Sequence, residues 1–316
     1  MKILITGCAG FIGSHLCDSL LGTNKFNVIG IDNFNNYYDP KIKEGNLRKA
    51  LNFKNFKLYR VDILEKSKIS DILKKEEPQK IVHLAARAGV RGSIENPKLY
   101  AEVNVLGTTN LLKLAVDSKV EQFIFGSSSS VYGNTNRLPF LENDACEKII
   151  SPYGSSKRAA EFFVESFHRT HGLRSIILRL FTVYGPRGRP DMAPALFTKA
   201  IIEGQIIYKF GEGLSSRDYT YIDDIIEGIV KALNKEINYE VINLGNNNPV
   251  TLNEFIKIIE KLTGKKAKIK KHPPQNGDVE KTWANVVKAK EFLGWEPKTK
   301  LEVGLRDYIQ WLENPR

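Results

Sequence analysis

Residues 2–15 read KILITGCAGFIGSH: a short apolar run, then glycines three apart at Gly7, Gly10 and Gly13, then a helical pattern. A strand that turns through glycine directly into a helix presents backbone N–H groups at the helix N-terminus, where an anion is stabilised. The glycines allow a tight turn and close backbone approach to a pyrophosphate, so Gly7, Gly10, Phe11, Ile12 and Gly13 are candidate cofactor contacts. The next apolar run, NVIGID (27–32), ends on Asp32, 19 residues after Gly13. A carboxylate there accepts hydrogen bonds from both ribose hydroxyls and repels a 2′-phosphate. Asn33 follows it, not an arginine, so NAD is favoured over NADP.

Further strands follow in FKLYRVD (56–62), KIVHLAA (80–86) and QFIFGSS (122–128), with stretches between them long enough for helices. SIILRL (175–180) extends the set, and EVINL (240–244) reads as a late strand returning to the same sheet. This alternation predicts an α/β fold, a doubly wound, mostly parallel Rossmann sheet with a smaller mixed α/β C-terminal substrate lobe. Proline punctuation after residue 185 divides the chain into an NAD-binding domain, 1–182 with 221–247 returning to it, and a smaller, loop-rich lobe, 183–220 and 248–316.

Composition narrows the function classes. The chain has 316 residues, 42% hydrophobic and 26% charged, with no apolar run of the ~20 residues a bilayer span needs. It opens on a strand with no charged leader or cleavage site, which reads as cytoplasmic. The net charge of +11 is spread along the chain. Its densest cluster, GKKAKIKK (264–271), reads as a solvated edge strand, so neither nucleic acid nor membrane is expected as a partner. Cys8, Cys17 and Cys146 are scattered and lack metal-ligand or redox spacing, so they read as reduced structural thiols and no metal is expected.

Tyr153 and Lys157 form a YxxxK pair in PYGSSK. Four residues make about one helical turn, so both side chains share a face. An ammonium near the phenol favours phenolate and makes Tyr153 a usable general base.

In order, GxxGxxG, HLAA (83–86), SSSVYG and YxxxK resemble an extended short-chain dehydrogenase/reductase of the nucleotide-sugar epimerase and dehydratase group. The likeness covers essentially the whole chain, through RDYTYIDD (217–224) to KAKEFLGWEPKTKLEVGL (288–305). It implies Asp62 and Ile63 at the adenine, and Leu84, Ala85 and Ala86 beside the cofactor. It implies Asn104 as a buried polar organiser, Ser127 near the cofactor and behind its strand, and Lys157 at the nicotinamide ribose. Arg217 would meet the diphosphate and Asp278 the uridine ribose. A homodimer is expected from the family.

Members of this group first oxidise a sugar carbon to a 4-ketone and then diverge. Dehydratases of this pattern carry Asp-Glu before VYG, and UDP-glucuronate decarboxylases carry Glu there. Here Ser129 and Ser130 occupy those places, which removes the extra acid and base and leaves hydride return to the opposite face, a 4-epimerisation. By family position Ser128 binds O4 and relays its proton to Tyr153, and Ser129 or Ser130 could donate to a sugar carboxylate.

FTVYGPRGRPDM (181–192), AGVRGSIENP (88–97) and DNFNNYYDPKIK (32–43) are most similar to the UDP-glucuronate 4-epimerases. The likeness implies Thr182 and Arg189 at the uronate end and Arg91 near the sugar or its phosphates. Arg87, Gly92 and Asn285 depart from that pattern. The leading expectation is therefore reversible conversion of UDP-glucuronate to UDP-galacturonate with tightly bound NAD. A UDP-glucose or UDP-N-acetylglucosamine 4-epimerase and a non-enzymatic NAD-binding regulator remain as alternatives.

Overall fold

A computed structural model of the chain describes residues 1–273, 277 and 279–314. Its strands are β1 (Lys2–Thr6), β2 (Asn27–Asp32), β3 (Phe56–Arg60), β4 (Lys80–His83), β5 (Gln122–Ser128), β6 (Arg174–Leu180), β7 (Thr182–Tyr184), β8 (Ile206–Phe210), β9 (Ser216–Tyr221), β10 (Tyr239–Leu244), β11 (Pro249–Thr251) and β12 (Lys268–His272).

The apolar runs of the first half, with β6 and β10, pair into one seven-stranded sheet of order β10-β6-β5-β4-β1-β2-β3, every pair parallel. Parallel strands need crossovers, and the helices supplying them cover both faces, which is why these strands are near-continuous apolar runs. The two-residue period is visible in the core: Ile3 and Ile5 pack with Val82, Ile124 and Ile176 on one face. Leu4 packs with Ile29, Ile81, Phe123 and Ile177 on the other. The order of strands reverses between β1 and β4, and a crevice opens at the carboxyl ends of the strands around such a switch point.

Two strands are shorter than the sequence indicates. β4 ends at His83, so Leu84–Ala86 leave the sheet; Ala85 N donates instead to Thr6 Oγ1 at 3.2 Å. β3 ends at Arg60, and Val61 and Asp62 likewise line the crevice. At both places one further bond to the neighbouring strand forms, Leu84 N to Thr6 O at 3.1 Å and Val61 N to Asp32 O at 3.2 Å, before the chain turns along the crevice wall.

Beyond β6 the chain builds two small sheets, β11-β9-β7 and β12-β8. The lysine-rich strand β12 exposes Lys268, Ile269, Lys270 and Lys271 and pairs with β8. The helix Pro152–His171 starts with proline in its first turn and Ser151 Oγ accepting from Gly154 N, and stops at Gly172 in the left-handed region. All three cysteines are free and buried. Among the described residues no helix is long and apolar enough to cross a membrane.

Candidate active site

At the switch point lies a cavity of about 1380 Å³. One small ligand occupies roughly 300–1,000 Å³, so this volume suits two ligands meeting inside it.

The wall formed by β1 and the helix Phe11–Leu21 is made of backbone. Gly7 has φ +72°, and a Cβ on it would lie 2.7 Å from Ala85 N; a Cβ on Gly13 would lie 2.1 Å from Gly7 O. Only glycine lets these segments meet, and the helix starts at Gly10 with no side chain capping its first turn. The uncapped N–H groups therefore remain to bind an anion. Asp32 is buried, accepting from Ala9 N at 3.1 Å and Phe34 N at 2.8 Å. Burial pushes its carboxyl up, opposed by the Phe34 N–H and the Lys43 charge. Asn33 donates to Asp62 at 2.5 Å, joining the tips of β2 and β3 at the same end. Gly7, Gly10, Phe11, Ile12, Gly13, Asp32, Asn33, Asp62, Ile63, Leu84, Ala85, Ala86 and Ser127 all line the cavity. These features fit a dinucleotide with free ribose hydroxyls. Asn104 instead lies behind the wall, bonded through its side chain to Arg87 N and O and to Ser156 Oγ.

The serine run is split between two elements. Ser127 and Ser128 end β5, and Ser129–Tyr132 form a 3₁₀ turn capped by Ser128 Oγ, which accepts from Ser130 N at 3.2 Å. Ser127 Oγ points away to Glu161 at 2.6 Å. Glu161 also holds Arg179 through two bonds at 3.0 and 2.8 Å, a pair in which each side chain is 1% exposed. Burial raises the Glu161 carboxyl, but the Arg179 charge and the hydrogen bonds from Arg179, Ser127 and Arg158 more than offset this and hold it below its usual range.

Tyr153 and Lys157 lie in the first two turns of the helix Pro152–His171 and both line the cavity. Lys157 Nζ donates to Gly126 O at 2.7 Å. Burial pulls its pKa down to about 8, with the Glu161 charge acting the other way. Tyr153 is raised above its ordinary value by burial, opposed by a hydrogen bond with Ser128 and by the Arg189 charge. This corrects the sequence expectation of a phenol depressed by Lys157. The ammonium is directed to Gly126 O, and burial outweighs the groups that favour phenolate.

On the substrate side, Arg91, Ser128, Ser129, Ser130, Thr182, Arg189 and Arg217 line the cavity. Thr182 opens β7 and is paired in register with Tyr219. The Arg91 guanidinium sits 5.1 Å from the Phe210 ring centre, and Arg217 donates to Ser216 O at 3.0 Å. Arg189 is in a two-pronged pair with Asp191, with Tyr37 completing the group. Asp278 lies outside the described residues. Sequence reasoning did not single out Tyr37, Lys43, Glu161, Arg179 or Asp191. Tyr37 and Asp191 stand inside DNFNNYYDPKIK and RPDM, so their signal was proximity to motifs already read.

A family model described as GDP-mannose 4,6-dehydratase matches residues 4–308. The chain belongs to this family. Among relatives, a UDP-glucuronate 4-epimerase of Thermodesulfobacterium geofontis is 42% identical over 309 residues, 98% of this chain and 95% of that one. The solved UDP-glucuronic acid 4-epimerase of Bacillus cereus, in complex with UDP-glucuronic acid and NAD, superimposes with a TM-score of 0.95 at 37% identity over 100% of both chains. A Thermotoga maritima UDP-glucose 4-epimerase with UDP-glucose gives 0.91 at 36% identity over 99% of both.

Proposed function

We propose that the chain is an NAD-dependent UDP-sugar 4-epimerase that interconverts UDP-glucuronate and UDP-galacturonate. The observation that carries this reading is the turn after β5. There the Ser128 hydroxyl meets the Tyr153 phenol, and no residue from Ser127 to Tyr132 is a carboxylate.

The glycine turn, Asp32, Asn33, Asp62, Ile63, Leu84–Ala86, Ser127 and Lys157 would hold NAD, which would supply hydride acceptance from C4 of the sugar and hydride return. Tyr153 removes the 4-OH proton, with Ser128 bonded to O4 and to the phenol as relay, leaving a 4-ketone. Lys157 holds positive charge beneath this pair and positions the nicotinamide ribose. The ketone then presents its other face, and the proton goes back from Tyr153 through Ser128 to O4, inverting C4. Serines at 129 and 130 do not open an elimination or decarboxylation branch, since neither can act as an additional carboxylate acid or base. They donate with Thr182 and Arg189 to the uronate, while Arg91 and Arg217 meet the diphosphate and Asp278 the uridine ribose. Buried polar donors facing an anion are stabilised by it, whereas a second carboxylate there would be costly.

The functional division follows: 1–182 with 221–247 carry the cofactor, and 183–220 with 248–316 carry the nucleotide sugar. The helix Pro152–His171 leaves Phe162 55% and Phe163 40% exposed, and Leu106 nearby in sequence to the preceding helix is 52% exposed. A second copy of the chain covering them forms the homodimer.

The test is incubation of the purified protein, without added NAD, with UDP-glucuronate and UDP-glucose in separate reactions, followed by identification of the sugar nucleotides. UDP-galacturonate is the expected product. Turnover of UDP-glucose with none of UDP-glucuronate refutes the uronate reading.

A further inference from the structure

Arg189 already has a carboxylate partner. Its Nε donates to Asp191 Oδ1 at 3.0 Å and its Nη2 to Asp191 Oδ2 at 2.5 Å, so the planar fork of the guanidinium is filled by a residue two positions along the same loop. The Tyr37 hydroxyl closes the group, donating to Asp191 Oδ2 at 3.2 Å while lying 3.3 Å from Nη2. The guanidinium carbon stands 5.1 Å from the centre of the Tyr37 ring. All three residues line the cavity. The Arg189 side chain is 17% exposed and that of Asp191 39%, so the aspartate is the half of the pair with water beside it.

We infer that Asp191 is a resident stand-in for the sugar carboxylate, which a uronate displaces from Arg189 and a neutral sugar leaves in place. The inference rests on the uronate reading above. The chemistry is an exchange of like for like: one carboxylate leaves the fork, another enters, and the guanidinium is never left unpaired. A 6-hydroxymethyl group offers no charge, so displacing Asp191 for it would leave a mostly buried cation without its anion, and a neutral sugar leaves the pair closed. The device therefore weakens binding of the uronate somewhat, because only the fraction of molecules with the fork open is competent. Binding of the neutral sugar, with the pair closed, does not depend on the Asp191 charge.

This predicts an unusual sign. Asp191→Asn keeps shape and removes the competing charge, so the holoenzyme should bind UDP-glucuronate more tightly, by about threefold or more, while its affinity for UDP-glucose stays within about twofold. If Asp191 serves only to hold Arg189 in place, the same variant binds UDP-glucuronate more weakly. Titration calorimetry of wild type and variant with each nucleotide sugar reads both affinities, and the products of wild-type turnover are identified in parallel. Unchanged or weakened UDP-glucuronate binding in the variant, with wild-type uronate turnover intact, overturns the inference alone. Absence of both binding and turnover of UDP-glucuronate in wild type overturns the proposed substrate, and the inference with it. Tyr37→Phe, which removes one bond to Asp191 and leaves both charges, should change UDP-glucuronate affinity in the same direction but less. A larger loss of affinity in Tyr37→Phe also counts against the device.

Discussion

Lys157 carries a charge that the folded chain holds at a cost, and replacing it by methionine should separate stability from activity. Burial brings its pKa from 10.5 to about 8. A tenfold change in proton affinity is about 1.4 kcal/mol, so keeping the proton at neutral pH costs the folded state about 3 kcal/mol relative to the unfolded chain. Methionine of similar length removes that cost but leaves Gly126 O without its donor at 2.7 Å. An unpaired buried acceptor costs about 1–3 kcal/mol, so the variant should be more stable than wild type at pH 7 by about 1 kcal/mol. The sign reverses in its pH dependence. Between about pH 8 and 10.5 the unfolded lysine keeps its proton while the folded one has released it, so wild-type stability rises through that window and the variant's does not follow. The variant's advantage of about 1 kcal/mol is therefore full below pH 8, passes through zero about one unit above it, and inverts, leaving wild type the more stable by about 2 kcal/mol near pH 10.5. Urea unfolding of both proteins at pH 7 and pH 9.5 measures it, and turnover assayed alongside should fall at least 100-fold. A variant less stable than wild type by an amount that does not change with pH would refute the reasoning.

Three further perturbations address other parts of the site. Tyr153→Phe should reduce turnover by roughly 10² or more while the purified protein retains its NAD, and an unchanged rate removes Tyr153 as the base. Ser130→Glu restores a carboxylate immediately before Val131 and should release some UDP-pentose from UDP-glucuronate; if none appears, position 130 is not the branch point. Glu161→Gln strips the countercharge from Arg179, whose side chain is 1% exposed, and should destabilise the fold by about 3–5 kcal/mol in urea titration. A loss below about 1 kcal/mol would mean that the Glu142 carbonyl, which accepts from Arg179 at 3.2 Å, and the neutral amide satisfy the guanidinium without a countercharge.

The sheet was legible because its information is local. Period-two and continuous apolar runs, a glycine turn and a proline-started helix are each set by neighbours within about ten residues, and β2 and β5 begin and end where the residues indicate. YxxxK was legible for the same reason, since one helical turn fixes its geometry. The turn GSSSSVYG was legible as a turn but not as four separate roles. Ser127 faces Glu161, 34 residues on, whereas Ser128 caps Ser130 and meets Tyr153.

What stayed hidden depends on pairs remote in the chain or on burial. Tyr37 reaches Asp191 across 154 residues, and no spacing rule links a loop after β2 to one after β7. The Tyr153 pKa shows the second kind of gap. Sequence supplies the cation one turn away, but whether the phenol is raised or lowered depends on how much water the assembled crevice removes from it and on where the ammonium points. In this fold the ammonium points at Gly126 O, which the strand β5 presents at the crevice only because the chain turns at the serines beyond it. The serine run thus acts twice. In the proposed reaction it leaves out the carboxylates that would divert a keto sugar, and by ending β5 where it does, it sets the Gly126 carbonyl that accepts from Lys157.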